Sequence, residues 1–294
     1  MNKLNLVKLN ICPSCRQSEY RELYKLSEVT VFKCSCGVKF IDPSLDLNSQ
    51  MQIYQSSDNI QSVHTALEDY YEYDFSDLKS RTSLDYQKAL NELSSYVDSK
   101  SVLEVGCGSG GFAQFAKESG WQITGLDSSK ENIQKLKEQG VDGVAIDFLK
   151  YKAKKKYDAI VMWDVIEHPQ DPAVFLEKSR ELLKDNSYLL IATPYYPNLL
   201  SFIAGIFYRM TFGLFTFPVE QMYFLEHTSY FNKKSLSLLL KKSGFKIEKI
   251  WKTETDIDRY KFSPFMRFVL KIIFFFGRIF NAKNRIVLIA RKEN

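Results

Sequence analysis

The chain is 294 residues long, 45% hydrophobic and 26% charged. That length accommodates one full α/β domain and a small extra module, with apolar content enough for a sizeable core. The formal net charge of +5 is too small to argue for nucleic acid as a partner, and the N-terminal M-N-K-L-N-L-V-K-L-N lacks the long apolar core of a secretory signal, so a cytoplasmic protein is expected.

In chain order, the first feature is a pair of cysteine knuckles, Cys12-Pro-Ser-Cys15 and Cys34-Ser-Cys36-Gly37. A reduced chain has little use for a dense disulfide cluster. Four thiolates suit tetrahedral zinc, and short knuckles deliver two ligands each. Cys12, Cys15, Cys34 and Cys36 are therefore expected to hold a structural Zn2+ in a module spanning residues 1–45. The second knuckle is C-x-C where C-x-x-C is usual, so a ribbon without metal, or four unrelated thiols, is the competing reading. Residues 46–100 connect this module to the core and carry Tyr54, Tyr70, Tyr71, Tyr73 and Tyr86. Leu84, Ala89, Leu90, Leu93 and Val97 recur at helical spacing and predict a helix over 83–97. The tyrosines either close a pocket or pack between the two modules.

Residues 101–111 read S-V-L-E-V-G-C-G-S-G-G, an apolar strand running into a glycine loop. Glycines let the backbone turn sharply and approach a ligand closely. A second strand, I-T-G-L-D, ends in Asp127, twenty-one residues after Gly106. An acidic residue at that tip is placed to accept hydrogen bonds from ribose hydroxyls. Glu104, inside the first strand, would repel a pyrophosphate and suits a cationic ligand carrying an amino group. The plain alternative is an ordinary strand–turn–helix of a doubly wound sheet. Cys107 is read as a small, tightly packed residue and not as a nucleophile.

This stretch resembles motif I of the class I methyltransferases, E-x-G-x-G-x-G, within their type 11/23 group. The resemblance implies S-adenosylmethionine as cofactor and a Rossmann-like α/β fold: a seven-stranded sheet over 101–294, preceded by a small zinc ribbon and a helical cofactor cover over 46–100. It implies a cofactor-binding set of Glu104, Gly106, Cys107, Gly108, Gly110, Asp127, Ser128, Asp147, Phe148 and Trp163. Downstream elements follow in order. Helices are predicted over 112–119 and 130–139, each closed by a glycine, Gly120 and Gly140. Strands are predicted over 121–127 and 144–147, and over the apolar run Y-D-A-I-V-M-W at 157–163, whose composition suits burial on both faces. Asp147 and Phe148 match the position that contacts adenine in the family; a loop-capping role for Asp147 is the alternative. Asp164-Val165-Ile166-Glu167-His168 leaves the carboxyl end of that last strand, where ligands sit in open α/β sheets. The N-terminal knuckles, with Cys36-Gly-Val-Lys-Phe-Ile-Asp-Pro43, also resemble the zinc ribbon of a methyltransferase subgroup.

Asp171 as N-cap and Pro172 at the first turn open a helix predicted over 171–184, and S-Y-L-L-I-A-T predicts a strand over 187–193. Residues 198–217 are almost wholly apolar and about the length of a membrane span. Arg209, Gly205, Gly213 and Pro218 argue against a span. By resemblance, residues 194–231 form an insertion that caps the acceptor site. Glu220-Gln-Met-Tyr-Phe-Leu-Glu-His-Thr-Ser-Tyr-Phe231 is similar to the Y-x-E-H-x-S-Y-F region of sugar C-methyltransferases and their O-methylating relatives. That similarity implies that Tyr223, Glu226 and His227 face the acceptor. An imidazole near neutral pKa can take the acceptor's proton, and Glu167-His168 offers a second such pair. Either histidine could instead be structural, capping a turn. A helix over 232–243 and strands over 245–252 and 285–291 complete the sheet, the last inserted antiparallel. Between them, residues 262–280 form an aromatic helix punctuated by Arg267, Lys271 and Arg278, a pattern that suits an interfacial helix with snorkelling bases, or a core-packed or dimer-forming one.

The resulting expectation is a methyltransferase acting on a hydroxyl of a sugar or lipid-linked glycan in polysaccharide biosynthesis, peripheral to the inner face of the membrane through 198–217 and 262–280. A quinone-type phenol as acceptor, or a non-catalytic scaffold that keeps the cofactor site, are the alternatives. The sequence does not set the oligomeric state.

Overall fold

A computed structural model describes residues 4–54, 79–97, 100–260 and 262–293. The N-terminal part holds β1 (Leu6–Val7), β2 (Tyr20–Lys25), β3 (Thr30–Cys34), β4 (Lys39–Asp42) and β5 (Ser44–Leu45). Strands β2, β3 and β4 form an antiparallel ribbon, and the two cysteine knuckles bracket β2 and β3. Helix α1 (Leu47–Ile53) follows, N-capped by Asp46, whose side chain accepts from the Ser49 amide. Helix α2 (Arg81–Ser94) starts two residues before the predicted span of 83–97 and ends three residues short of it.

The core is the seven-stranded sheet expected from the sequence. In chain order it contains β6 (Ser101–Val105), α3 (Gly111–Glu118), β7 (Gln122–Asp127), α4 (Lys130–Glu138), β8 (Asp142–Ala145), β9 (Tyr157–Trp163), α5 (Pro172–Leu182) and β10 (Leu183–Pro194). Then come α6 (Leu199–Met210), α7 (Phe217–Glu220), β11 (Ser229–Tyr230), α8 (Lys233–Lys242), β12 (Phe245–Thr253), α9 (Pro264–Ile279) and β13 (Arg285–Lys292). The sheet order is β12-β13-β10-β9-β6-β7-β8. Strands β10, β9, β6, β7 and β8 run parallel, and β13 pairs antiparallel with both β10 and β12.

Burial on both faces explains the apolar runs. Every residue of β6 is buried. Along β10, Leu189 and Ile191 join the core on one face while Leu190 and Ala192 join the core on the other, as alternation across a strand requires. The predicted strand at 144–147 sits two residues earlier, at Asp142–Ala145. Asp147 lies outside it because its side chain accepts from the Leu149 amide at 3.0 Å and opens a short 3₁₀ turn. The helix predicted to reach Lys184 stops at Leu182, where Leu183 takes an extended conformation.

The ribbon and the sheet domain share structure. Strand β11, inside the segment predicted as an acceptor lid, pairs with β4 and becomes the fourth strand of the ribbon's sheet. Ile41 donates its amide to the Thr228 carbonyl at 3.2 Å, and Asn232 Nδ2 donates to the Gly37 carbonyl at 2.8 Å. The four cysteines sit in the same buried cluster as Leu176, Phe231 and Leu236. The boundary drawn at residue 45 is therefore crossed by backbone pairing and by a common core.

Candidate active site

The carboxyl ends of the parallel strands open into a cavity of about 1020 Å³. Its inner end is built on the glycine loop between β6 and α3. Gly106 has φ +67, and a Cβ there would lie 2.7 Å from Val165 Cγ2, so only glycine fits the turn. The Gly108 amide donates to Asp127 Oδ2 at 2.9 Å and the Ser129 amide to Asp127 Oδ1 at 2.8 Å. Glu104 is 2% exposed, and its Oε2 has no hydrogen-bond partner among the described residues. Burial first, and then the neighbouring Asp127 charge, push its carboxyl well above the ordinary range. A ligand cation brought beside it would reverse that penalty. The donor set thus fits the ammonium and ribose of S-adenosylmethionine and opposes a phosphate.

Glu104, Gly106, Cys107, Gly108, Asp127, Ser128, Asp147, Phe148 and Trp163 all line the cavity. Gly110 does not: it caps α3 at φ +89, and a Cβ there would meet Leu136 and Gln139 at 2.5 and 2.9 Å. Its glycine is required by the turn and by packing. Cys107 is buried, and its thiol is pushed up by burial and then by Glu104, so no thiolate is presented. Trp163 packs on Tyr86 and Phe112, with ring centroids 4.9 and 5.6 Å apart. Asp147 caps its own turn and lies 3.6 Å from Lys150.

At the other side of the loop, Glu167, His168 and His227 bring a ligand atom each within 4.8 Å of one another. The His168 and His227 ring centroids are 4.6 Å apart. His168 is held on both edges: Nδ1 lies 2.8 Å from the Glu226 carbonyl and 2.9 Å from the Tyr54 hydroxyl, and Nε2 lies 3.0 Å from the Asp164 carbonyl. Burial lowers its pKa. The expected pairing of Glu167 with His168 is not formed, because Glu167 Oε2 accepts the Thr193 hydroxyl at 2.9 Å. Burial, and then Asp164, raise the Glu167 carboxyl to about 8. Glu226 is buried with Oε2 unpartnered among the described residues, and burial pushes it up to about 7. Glu226 and His227 both line the cavity.

Tyr223 stands outside the cavity. It is buried among Tyr24, Tyr196 and Tyr230, and its hydroxyl accepts from Lys39 Nζ at 2.8 Å. Lys39 sits over the Tyr24, Tyr196 and Tyr223 rings at 5.9, 5.4 and 5.5 Å from their centroids. A ribbon lysine thus claims the tyrosine that the motif had suggested for the acceptor.

Two cavity residues, Gln50 and Arg285, were not legible as site residues. Arg285 pairs with Asp164 at 2.8 Å across the mouths of β13 and β9. The readable signal was position, since Asp164 directly follows a buried strand. From α1, Gln50 Nε2 donates to the His168 carbonyl at 2.8 Å, and Tyr54 reaches the same histidine. Tyr54 and Tyr86 line the cavity; Tyr70, Tyr71 and Tyr73 lie outside the described residues.

The four knuckle cysteines are buried, unbridged, and have all Sγ atoms within 4.8 Å of one another. Cys12–Cys36 and Cys15–Cys34 are 3.7 and 3.4 Å apart. Tetrahedral thiolate at about 2.3 Å from zinc calls for sulfur spacings of roughly this size, so the donor set fits the metal.

Helices α6 and α9 wall the outer end of the cavity and touch each other. No described helix is long and apolar enough to cross a membrane. Two of the bases predicted to snorkel face carboxylates: Arg267 pairs with Asp258, and Arg278 with Glu254 at 2.8 Å.

The seven-stranded sheet with an antiparallel last insertion, and a cradle for a cationic nucleoside at its first crossover, define the methyltransferase class of Rossmann-like fold. The family model described as "Methyltransferase domain" matches residues 78–250, and the chain belongs to that family. It is 34% identical over 98 residues to a ubiquinone biosynthesis O-methyltransferase of Pelagibacter ubique, covering 31% of this chain and 41% of that protein. It is 31% identical over 103 residues to a probable (S)-tetrahydroprotoberberine N-methyltransferase 2 of Papaver bracteatum, covering 32% of this chain and 29% of that protein. The chain thus spans well under half the length of the curated relatives it matches. Among solved structures, magnesium protoporphyrin IX methyltransferase of Synechocystis PCC 6803 with bound SAH has TM-score 0.55 at 13% identity, over 84% of this chain and 100% of that one. The [4+2]-cyclase SpnF has TM-score 0.52 at 14% identity, over 83% and 96%. The likeness of fold therefore extends to a protein described as a cyclase.

Proposed function

We propose that the protein is an S-adenosylmethionine-dependent methyltransferase acting on a hydroxyl of a large acceptor, a sugar or lipid-linked glycan of polysaccharide biosynthesis. The observation that carries this reading is one cavity whose inner end holds Glu104, with Oε2 unpartnered among the described residues, and Asp127, and which also holds Glu226 and His227. When bound, S-adenosylmethionine supplies a sulfonium methyl, which an acceptor oxygen attacks as the carbon–sulfur bond breaks. Glu104 would hold the ammonium and Asp127 the ribose, and Phe148 and Trp163, which line the same cavity, would lie against the nucleoside. His227 takes the proton that the acceptor oxygen loses. His168 is a poor base, since both its ring nitrogens are engaged by main-chain carbonyls; it holds the Glu226 backbone instead. Most of the acceleration comes from aligning oxygen and methyl in a site shielded from water.

Cys12, Cys15, Cys34 and Cys36 hold a structural zinc that fixes the ribbon, and the ribbon fixes the acceptor loop through β11. A quinone-type phenol is the second acceptor reading, favoured by the apolar outer wall and by the similarity to a ubiquinone biosynthesis O-methyltransferase. Calorimetric titration with S-adenosylmethionine tests the main proposal. Micromolar binding, with methyl transfer to an envelope-glycan extract seen by mass spectrometry, is expected. Absence of binding, or a stronger response to NAD, would overturn it.

A further inference from the structure

The outer wall of the cavity is also the surface of the protein. Phe207, Phe215, Phe217 and Met266 line the cavity and are at the same time exposed. Around them, Phe212 is 94% exposed, Leu214 90% and Phe265 74%, with Met210, Phe268 and Phe280 adding to one apolar field across α6 and α9. The outer wall of the cavity is therefore part of that field. Monomeric soluble proteins rarely leave so much contiguous apolar surface without using it.

Charge identifies what covers it. Residues 198–219 and 262–292 contain no Asp or Glu, while Arg209, Arg267, Lys271, Arg278 and Lys283 are spread through them. Arg209 and Lys271 are exposed and make no ion pair among the described residues. An apolar field whose own two segments contribute no carboxylate, and in which Arg209 and Lys271 stay unpaired among the described residues while Arg267 and Arg278 pair with Asp258 and Glu254, matches an anionic lipid surface, where rings enter the acyl boundary and bases meet head groups.

The geometry points to an acceptor taken from the bilayer. On the methyltransferase reading above, it is an amphiphile. Its polar end reaches His227 and Glu226, and its hydrocarbon chain leaves between α6 and α9 into the lipid. A nucleotide-borne sugar has no hydrocarbon chain to fill the apolar passage between α6 and α9, which would then stay in contact with water. The acceptor is therefore carried on a lipid and not on a nucleotide.

The test uses the full chain with vesicles of phosphatidylglycerol and phosphatidylcholine, against phosphatidylcholine alone. Flotation with the anionic vesicles only is expected. Phe212→Ser with Leu214→Ser, both fully outside the fold, should lower partitioning by about tenfold or more and leave S-adenosylmethionine affinity unchanged. A Phe217→Trp reporter should be quenched by acyl-brominated lipid beyond the signal of the native tryptophans, because the mouth sits at acyl depth. Monomeric dodecyl maltoside should bind the S-adenosylhomocysteine-loaded protein, and maltose should not. A protein that binds S-adenosylmethionine yet stays unbound to both vesicle types overturns the inference and leaves the methyltransferase reading standing. So does a dimer that the Phe212→Ser/Leu214→Ser variant dissociates. Vesicle binding without S-adenosylmethionine binding overturns the methyltransferase reading, and the acceptor claim with it.

Discussion

The Gly108 amide points at Asp127, donating to Oδ2 at 2.9 Å. The carboxylate that ends β7 thus braces the loop that ends β6, and the same group is placed to meet a ribose. Each carboxylate oxygen has two lone pairs, so the amide contact leaves capacity for the ligand. Asp127→Ala removes both the brace and the ligand contact. S-adenosylmethionine affinity should fall by about tenfold to a hundredfold, the scale of a charge-assisted hydrogen bond. Titration calorimetry measures it, and unchanged affinity would refute the ribose role.

Buried acids should make the unliganded protein less stable as pH rises. Glu167 and Glu226 have carboxyls raised to about 8 and about 7 from an ordinary 4.5. A folded pKa above the unfolded one means the folded state holds more protons. Their contribution is fully present below about pH 4.5 and is lost as pH rises through 7 to 8. Scanning calorimetry from pH 5.5 to 8.5 should show a falling Tm, and Glu167→Gln should flatten that slope. A Tm that climbs across this range would contradict the assignment.

His227→Ala should reduce kcat by about a hundredfold or more, the usual weight of a positioned base, with S-adenosylmethionine affinity unaltered. His168→Ala should act differently. It unpins the Glu226 carbonyl, the Tyr54 hydroxyl and the Asp164 carbonyl, and should cost about 1–3 kcal/mol of stability. If His168→Ala abolishes turnover in a protein of normal Tm while His227→Ala is active, the roles are exchanged.

Elemental analysis should find about one zinc per chain. Chelation, or Cys15→Ser, should lower Tm and depress kcat more than cofactor affinity. The reason is topological: β4 of the ribbon pairs with β11, three residues from Glu226, while the glycine loop follows β6, an inner strand of the separate seven-stranded sheet. Equal loss of both functions would mean that the ribbon supports the whole domain and not the acceptor loop in particular.

Substituting Lys39 separates packing from chemistry. Lys39→Met keeps the stem among Tyr24, Tyr196 and Tyr223 but removes the donor to the Tyr223 hydroxyl. Burial, followed by Lys33 and Arg209, lowers the ammonium to about 8. An amine depressed in this way favours the unfolded state at neutral pH, so the variant should be as stable as the parent or more so. A drop in Tm of several degrees would show that the cation over the rings contributes more than its desolvation costs.

Local chemistry made the cofactor end readable. A strand, a glycine turn and an acid at the next strand tip are set by φ, by steric clearance and by nearest-neighbour pairing, all of which act within about thirty residues. The cysteine cluster was readable for the same reason: two short knuckles carry their own ligand geometry. The strand predicted over 144–147 slipped because a side chain competed with the ladder: Asp147 caps its own turn.

The sequence by itself determined the fold class, the cradle for a cationic nucleoside and a four-cysteine cluster, because each is written in residues close together along the chain. Only the tertiary structure decided that Tyr223 belongs to Lys39, that Glu167 answers Thr193 and not His168, and that the lid donates a strand to the ribbon. It also decided that apolar residues lining the cavity are exposed at the surface. Those facts depend on which distant segments meet, and a buried polar group takes whichever partner the packing brings within hydrogen-bond reach.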